Sequence, residues 1–165
     1  TRALVYTSKA SKTNLSVIET VIKSNNKRSD LLLKRINNIL NKKIKNKKIT
    51  FLGVTFKANT DDMRDSSSLK MIPWLSKKGA VVRYFDPTGL KKEFSKIKNV
   101  SFIDNINDSI KGSDLVIIHT EWNDFKSINF KSMIKRKNFI IYDMRNIYSS
   151  SKMKKAKIKY FGIGR

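Results

Sequence analysis

The residues in this chain best suited to chemistry are lysines and arginines placed just past short apolar runs. Such cations suit the binding of a phosphate or diphosphate. The densest set lies in residues 49–69, ITFLGVTFKANTDDMRDSSSL. An apolar run at 49–54 leads into Thr55, Phe56 and Lys57, and Arg64 follows further along a polar loop. That loop closes on Ser66, Ser67 and Ser68, residue types that cap helices. Past later apolar runs come Asp86, then Thr120-Glu121-Trp122, then Asp143-Met144-Arg145. Lys57, Arg64 and Arg145 are expected to converge on one edge. The chain has no cysteine and one histidine, so it holds no thiolate nucleophile and no cysteine-based metal site. Catalytic residues and metal ligands are expected to be absent.

The elements that must position these groups alternate. Strands are expected at 49–54, 81–85, 100–103, 115–119, 139–142 and 158–163. Helices are expected between them at 68–78, 90–97, 105–111 (capped by Asp104), 130–135 and 149–156. Apolar strands in this rhythm predict an α/β fold, a Rossmann-like parallel sheet with helices on both faces. In such a sheet ligands sit beyond the carboxyl ends of the strands. Pro73 is expected to kink the helix at 68–78 or to move its start. Ahead of the sheet, apolar residues from Leu15 to Leu40 recur at three- and four-residue spacings, which predicts one long helix over about 14–40. Residues 1–12 show no clear pattern. The division expected is 1–47 for the helical region and 48–165 for the sheet domain.

The loop after the first strand carries a single glycine, Gly53, and not the G-x-G-x-x-G that lets a backbone approach a pyrophosphate. Side-chain cations must do that work. Several residues have a plainer reading beside the functional one. Arg64 can pair with Asp61, Asp62 or Asp65, which read as loop-ordering residues. Arg145 can pair with Asp143. Asp86 stands where a dinucleotide fold would hold a ribose, but Asp-Pro-Thr-Gly is also an ordinary turn. His119 reads as structural. Trp74, Tyr84, Phe85, Phe102 and Phe139 read as core.

The net charge is +23, concentrated at the ends: residues 1–48 carry 13 Lys/Arg against 2 Asp/Glu, and residues 151–165 carry 6 against none. Such an excess suits nucleic acid or an anionic membrane. The basic ends lack the interleaved aromatics of a single-strand-binding face, and heavy use of Lys, Asn and Ile throughout accounts for the charge. Nucleic acid is therefore not expected as a partner. No apolar run approaches the ~18 residues that span a bilayer, and without cysteines or a signal-like segment a cytoplasmic setting is the default expectation.

Four segments, G-V-T-F-K-A-N-T-D-D-M-R-D-S-S-S-L, G-A-V-V-R-Y-F-D-P, D-L-V-I-I-H-T-E-W and I-I-Y-D-M-R-N, occur in order over about 100 residues. Together they resemble the C-terminal UDP-binding domain of the UDP-glucose 6-dehydrogenases, within the UDP-glucose/GDP-mannose dehydrogenase family. The resemblance implies that Phe56, Lys57 and Arg145 contact the nucleotide sugar and that Arg64 reaches NAD bound by another domain. It implies a homodimer formed through the long helix. It also implies a two-step NAD-dependent oxidation of UDP-glucose to UDP-glucuronate through a cysteine upstream of Thr1. The chain alone is then expected to bind weakly and oxidise nothing. UDP-N-acetylmannosamine or GDP-mannose dehydrogenases are the alternative within the family, and a non-catalytic nucleotide- or nucleic-acid-binding module is the alternative outside it.

Overall fold

The computed structural model describes residues 2–130 and 139–164. It divides into two compact units, Thr1–Lys42 and Lys43–Arg165. The first holds α1 (Arg2–Ala10) and α2 (Ser16–Ile39). At 24 residues, α2 is roughly 36 Å long at 1.5 Å rise per residue. Its extent matches the apolar spacing, and Leu32, Leu33, Ile36 and Ile39 are its buried positions. The helix α1 was not legible, because its apolar residues are few and Leu4 and Tyr6 stay exposed.

The second unit is a six-stranded sheet: β1 (Lys48–Leu52), β2 (Val81–Phe85), β3 (Val100–Phe102), β4 (Leu115–Ile118), β5 (Ile140–Asp143) and β6 (Lys159–Gly162). Its order is β3-β2-β1-β4-β5-β6, and every neighbouring pair is parallel. This is the doubly wound Rossmann order. The direction in which successive strands are added reverses between β1 and β4, the switch point where ligands sit in such sheets. All four residues of β4 are buried, as a strand covered on both faces requires.

Side-chain alternation separates the two faces. Leu52, Val116, Ile118 and Ile141 share one core with Ile110, Phe125, Phe130 and Met153. Thr50 lies on that same face and donates to the Ser109 carbonyl of α4 (Ile106–Ile110) at 2.6 Å. Phe51 and His119 point the other way, and their rings lie 6.1 Å apart. On that side sits the start of α3 (Ser68–Lys77), whose Met71, Ile72 and Leu75 are fully buried. Each such side chain contributes about 1.5–3 kcal/mol by leaving water. Pro73 is accommodated inside α3, although it cannot supply the N–H that the Leu69 carbonyl would normally receive.

Several expected boundaries shift for local reasons. The helix expected at 90–97 is only a 3-10 turn, Lys92–Phe94, preceded by a Lys91 that is tied to Thr88. The cap of α4 is Asn105, not Asp104: its Oδ1 accepts from the N–H groups of Asn107 and Asp108. The first strand ends at Leu52 because the Val54 N–H goes to a side chain of the next βα loop. Trp74, Phe85 and Phe102 are only half-buried, while Tyr84 and Phe139 are in the core. Of the helix expected at 130–135, only Phe130 lies within the described residues; the rest falls outside them. A short helix α5 (Asn123–Lys126) and α6 (Ser150–Lys155) complete the described elements. Among the described residues no helix is long and apolar enough to cross a membrane.

Candidate functional site at the carboxyl edge

The loop following β1 starts with a constraint. Gly53 has φ +74°, and a Cβ built there would lie 2.6 Å from the Thr120 Cβ, so only glycine fits between β1 and β4. Asp86, at the end of β2, then turns inward. Its Oδ2 accepts the Val54 N–H at 2.8 Å and the Thr55 N–H at 3.4 Å. Its Oδ1 accepts the Thr88 N–H and hydroxyl at 3.0 and 2.5 Å, with Lys91 Nζ 3.9 Å away. The backbone N–H groups that a dinucleotide fold would offer to a pyrophosphate are thus taken by a protein carboxylate. The ribose alternative for Asp86 is closed by the same bonds. These residues do not fit a dinucleotide on the backbone of this domain.

The serines behave differently from ordinary caps. Ser66 and Ser68 both donate to the Val54 carbonyl, at 2.7 and 2.5 Å. Ser67 occupies the N-cap position of α3 but makes no capping bond with its side chain. Its hydroxyl faces His119 Nε2 at 2.8 Å. The loop is drawn together further by Phe56, whose N–H donates to the Asp62 carbonyl at 2.9 Å.

Phe56 and Lys57 end up exposed at the tip of this loop, Phe56 with half its surface open. Arg145 reaches them from the end of β5. Its Nη2 donates to the Phe56 carbonyl at 3.4 Å, and its Nε donates to the His119 carbonyl at 2.7 Å. The expected pairing with Asp143 does not involve the guanidinium. Asp143 is fully buried; one oxygen accepts the Arg145 backbone N–H and the other accepts Tyr148 N–H and Tyr160 hydroxyl. The partner of the guanidinium is Glu121, with Oε2 3.0 Å from Nε. Since the single Nε–H points to the His119 carbonyl, this is an ion pair without a hydrogen bond. Glu121 Oε2 has no hydrogen-bond donor among the described residues. The sequence places Glu121 at this edge but assigns it no role. Its signal was positional: it lies three residues past β4, as Arg145 lies two past β5 on the neighbouring strand.

Phe56, Lys57 and Arg145 are therefore brought together. Arg64 is not part of that contact set. It grips Asp62 with two nitrogens, Nη2 to Oδ2 at 2.8 Å and Nε to Oδ1 at 3.0 Å, while nearly all of its side chain stays in solvent. The Arg64 side-chain and backbone bonds hold the Asp62 carboxyl down to about 2. His119 is pushed down to about 3, first by complete burial and then by the Arg145 charge, so it is neutral at ordinary pH. Among the described residues no group of His, Asp and Glu could hold a metal ion. With an exposed ring, an exposed lysine and a guanidinium side by side, the arrangement can bind an anion and stack a planar or sugar ring.

Residues 50–150 match the model of the UDP binding domain of the UDP-glucose/GDP-mannose dehydrogenase family. The chain belongs to this family. A UDP-glucose 6-dehydrogenase of Rickettsia felis is 35% identical over 151 residues, 90% of this chain and 34% of that protein. One of Rhizobium meliloti is 33% identical over 168 residues, covering 100% of this chain and 38% of its own. An NDP-N-acetyl-D-galactosaminuronic acid dehydrogenase from Methanosarcina mazei superposes with a TM-score of 0.83 over 98% of this chain and 36% of that one, at 21% identity, which establishes a shared fold. The chain thus spans about a third of the length of the UDP-glucose/GDP-mannose dehydrogenases it matches.

Proposed function

We propose that this chain is the UDP-sugar-binding portion of an NAD-dependent UDP-glucose 6-dehydrogenase. Phe56, Lys57 and Arg145 hold the nucleotide sugar in this reading. The observation that carries it is the Arg145 guanidinium fastened to the Phe56 carbonyl beside an exposed ring and an exposed lysine, on the switch-point edge of a Rossmann sheet. With the backbone N–H groups consumed by Asp86, recognition falls to side chains. The diphosphate meets Lys57 and Arg145, and Phe56 offers its face to a ring of the ligand. Arg64, paired with Asp62 and largely in solvent, is the residue this reading assigns to NAD held by a domain outside this chain. The NAD chemistry and the oxidation belong to that larger protein, and UDP-glucose is favoured over other sugar nucleotides by the relatives' names.

Exposed Val17, Val21 and Leu31 along α2 support a homodimer through that helix. Sedimentation of Leu31→Asp against the unaltered chain tests this, and an identical monomeric profile for both would rule it out. For the ligand, calorimetric titration with UDP should give saturable 1:1 binding. Salt-sensitive binding to a polynucleotide with no heat from UDP would instead support the nucleic-acid module.

A further inference from the structure

Four hydrogen bonds run in series beneath the ligand loop. Ser67 Oγ meets His119 Nε2 at 2.8 Å, and His119 Nδ1 meets Thr120 Oγ1 at 3.1 Å. Thr120 Oγ1 meets the Thr55 carbonyl at 3.0 Å, and Thr55 Oγ1 meets the Lys57 carbonyl at 3.1 Å. The series has only one consistent set of proton positions. The Thr55 carbonyl can only accept, so Thr120 spends its single O–H there. Thr120 Oγ1 must then accept from His119, which places the proton on Nδ1. A neutral imidazole carries one N–H, so Nε2 accepts from the Ser67 hydroxyl. Burial and the nearby Arg145 charge keep the ring neutral. The His119 backbone carbonyl, in turn, receives Arg145 Nε at 2.7 Å.

We propose that His119 is a positioning residue: its neutral Nδ1–H form orients Thr120, which sets the Thr55–Lys57 segment, while its carbonyl sets Arg145. One residue thereby fixes both halves of the anion site, the loop after β1 and the guanidinium after β5, and ties them to the start of α3. The inference rests on the reading that Phe56, Lys57 and Arg145 hold a nucleotide sugar. Its local part, the proton position and the loop geometry, stands apart from any ligand.

The test uses the whole 165-residue chain, in which His119 is the only histidine, so its ring nitrogens give one unambiguous signal each. Nitrogen NMR of the ligand-free protein at neutral pH should show the proton on Nδ1. Thr120→Val should move the Phe56 and Lys57 amide signals and raise the UDP Kd by roughly tenfold, the scale of one lost hydrogen bond, while Thr120→Ser should restore both. A proton on Nε2 overturns the proposal. So does a folded Thr120→Val protein with unchanged Phe56 and Lys57 amides, whatever its UDP affinity. If Thr120→Val does not fold, the ring signal of the unaltered protein still decides. Should the proton and amide results hold while the unaltered chain ignores UDP, the ligand reading falls and the positioning stands.

Discussion

Replacing Asp86 with alanine probes the reasoning that a protein carboxylate fills what would otherwise be a backbone phosphate cradle. Asp86 is 1% exposed, and Val54 and Thr55 are fully buried, so no water replaces the lost acceptor. The Val54 N–H, bonded at 2.8 Å, loses its partner outright; the 3.4 Å bond from Thr55 counts for less. An unpaired buried N–H costs about 1–3 kcal/mol. Lys91, buried to 5% exposure, loses a carboxylate 3.9 Å away, and breaking a close buried pair costs 3–5 kcal/mol. At 3.9 Å, with Thr88 still accepting from the ammonium at 2.5 Å, the lower part of that range applies. The combined loss expected for Asp86→Ala is therefore about 4–6 kcal/mol, and for Asp86→Asn, which keeps one acceptor oxygen, about 1–3 kcal/mol. Urea unfolding followed by circular dichroism reads both, with the slope unchanged and the midpoint lowered in that order. An Asp86→Ala protein within about 0.5 kcal/mol of the unaltered chain, the range of ordinary surface substitutions, would refute the argument.

Two further outcomes follow from neighbouring residues. Gly53→Ala should cost about 2–4 kcal/mol, from a positive φ and overpacking against Thr120, whereas Gly89→Ala, at φ +82° in open space, should cost only about 1 kcal/mol; equal losses in denaturant unfolding would contradict the packing account. His119 titrates near 6.5 when unfolded and near 3 when folded, so the unfolded chain binds the extra proton between those values. Its contribution to stability is present above pH 6.5 and is lost as pH falls toward 3, at up to about 1.4 kcal/mol per pH unit. His119→Asn should flatten that part of the stability-pH curve, and parallel curves for the two proteins would show that His119 is not buried neutral.

Strand number, parallel order and the residues at the carboxyl edge were legible because β-branched apolar runs such as 115–118 suit a sheet covered on both faces. Lys57 and Arg145 were legible as edge residues for the same reason. What escaped was set by contacts distant in sequence. Nothing local says that Asp86 will reach back to Val54 across 32 residues, or that Arg145 will choose Glu121 over the adjacent Asp143. The serines misled in a similar way: their composition signals a helix cap, but the buried Val54 carbonyl and His119 compete for the hydroxyls and win. That Arg64 could clip one of its loop's aspartates was legible, but the choice of Asp62 over Asp61 and Asp65 was not.

In the proposed function the nucleotide sugar is held by side chains from two different βα loops. Titration of UDP into the unaltered chain, Lys57→Ala and Arg145→Ala tests it most directly. Each substitution should weaken binding at least tenfold, about 1.4 kcal/mol, with the unfolding midpoint of Lys57→Ala close to that of the unaltered chain. UDP binding that is indifferent to both substitutions, or lost only when the basic residues outside the sheet edge are neutralised, would contradict the account.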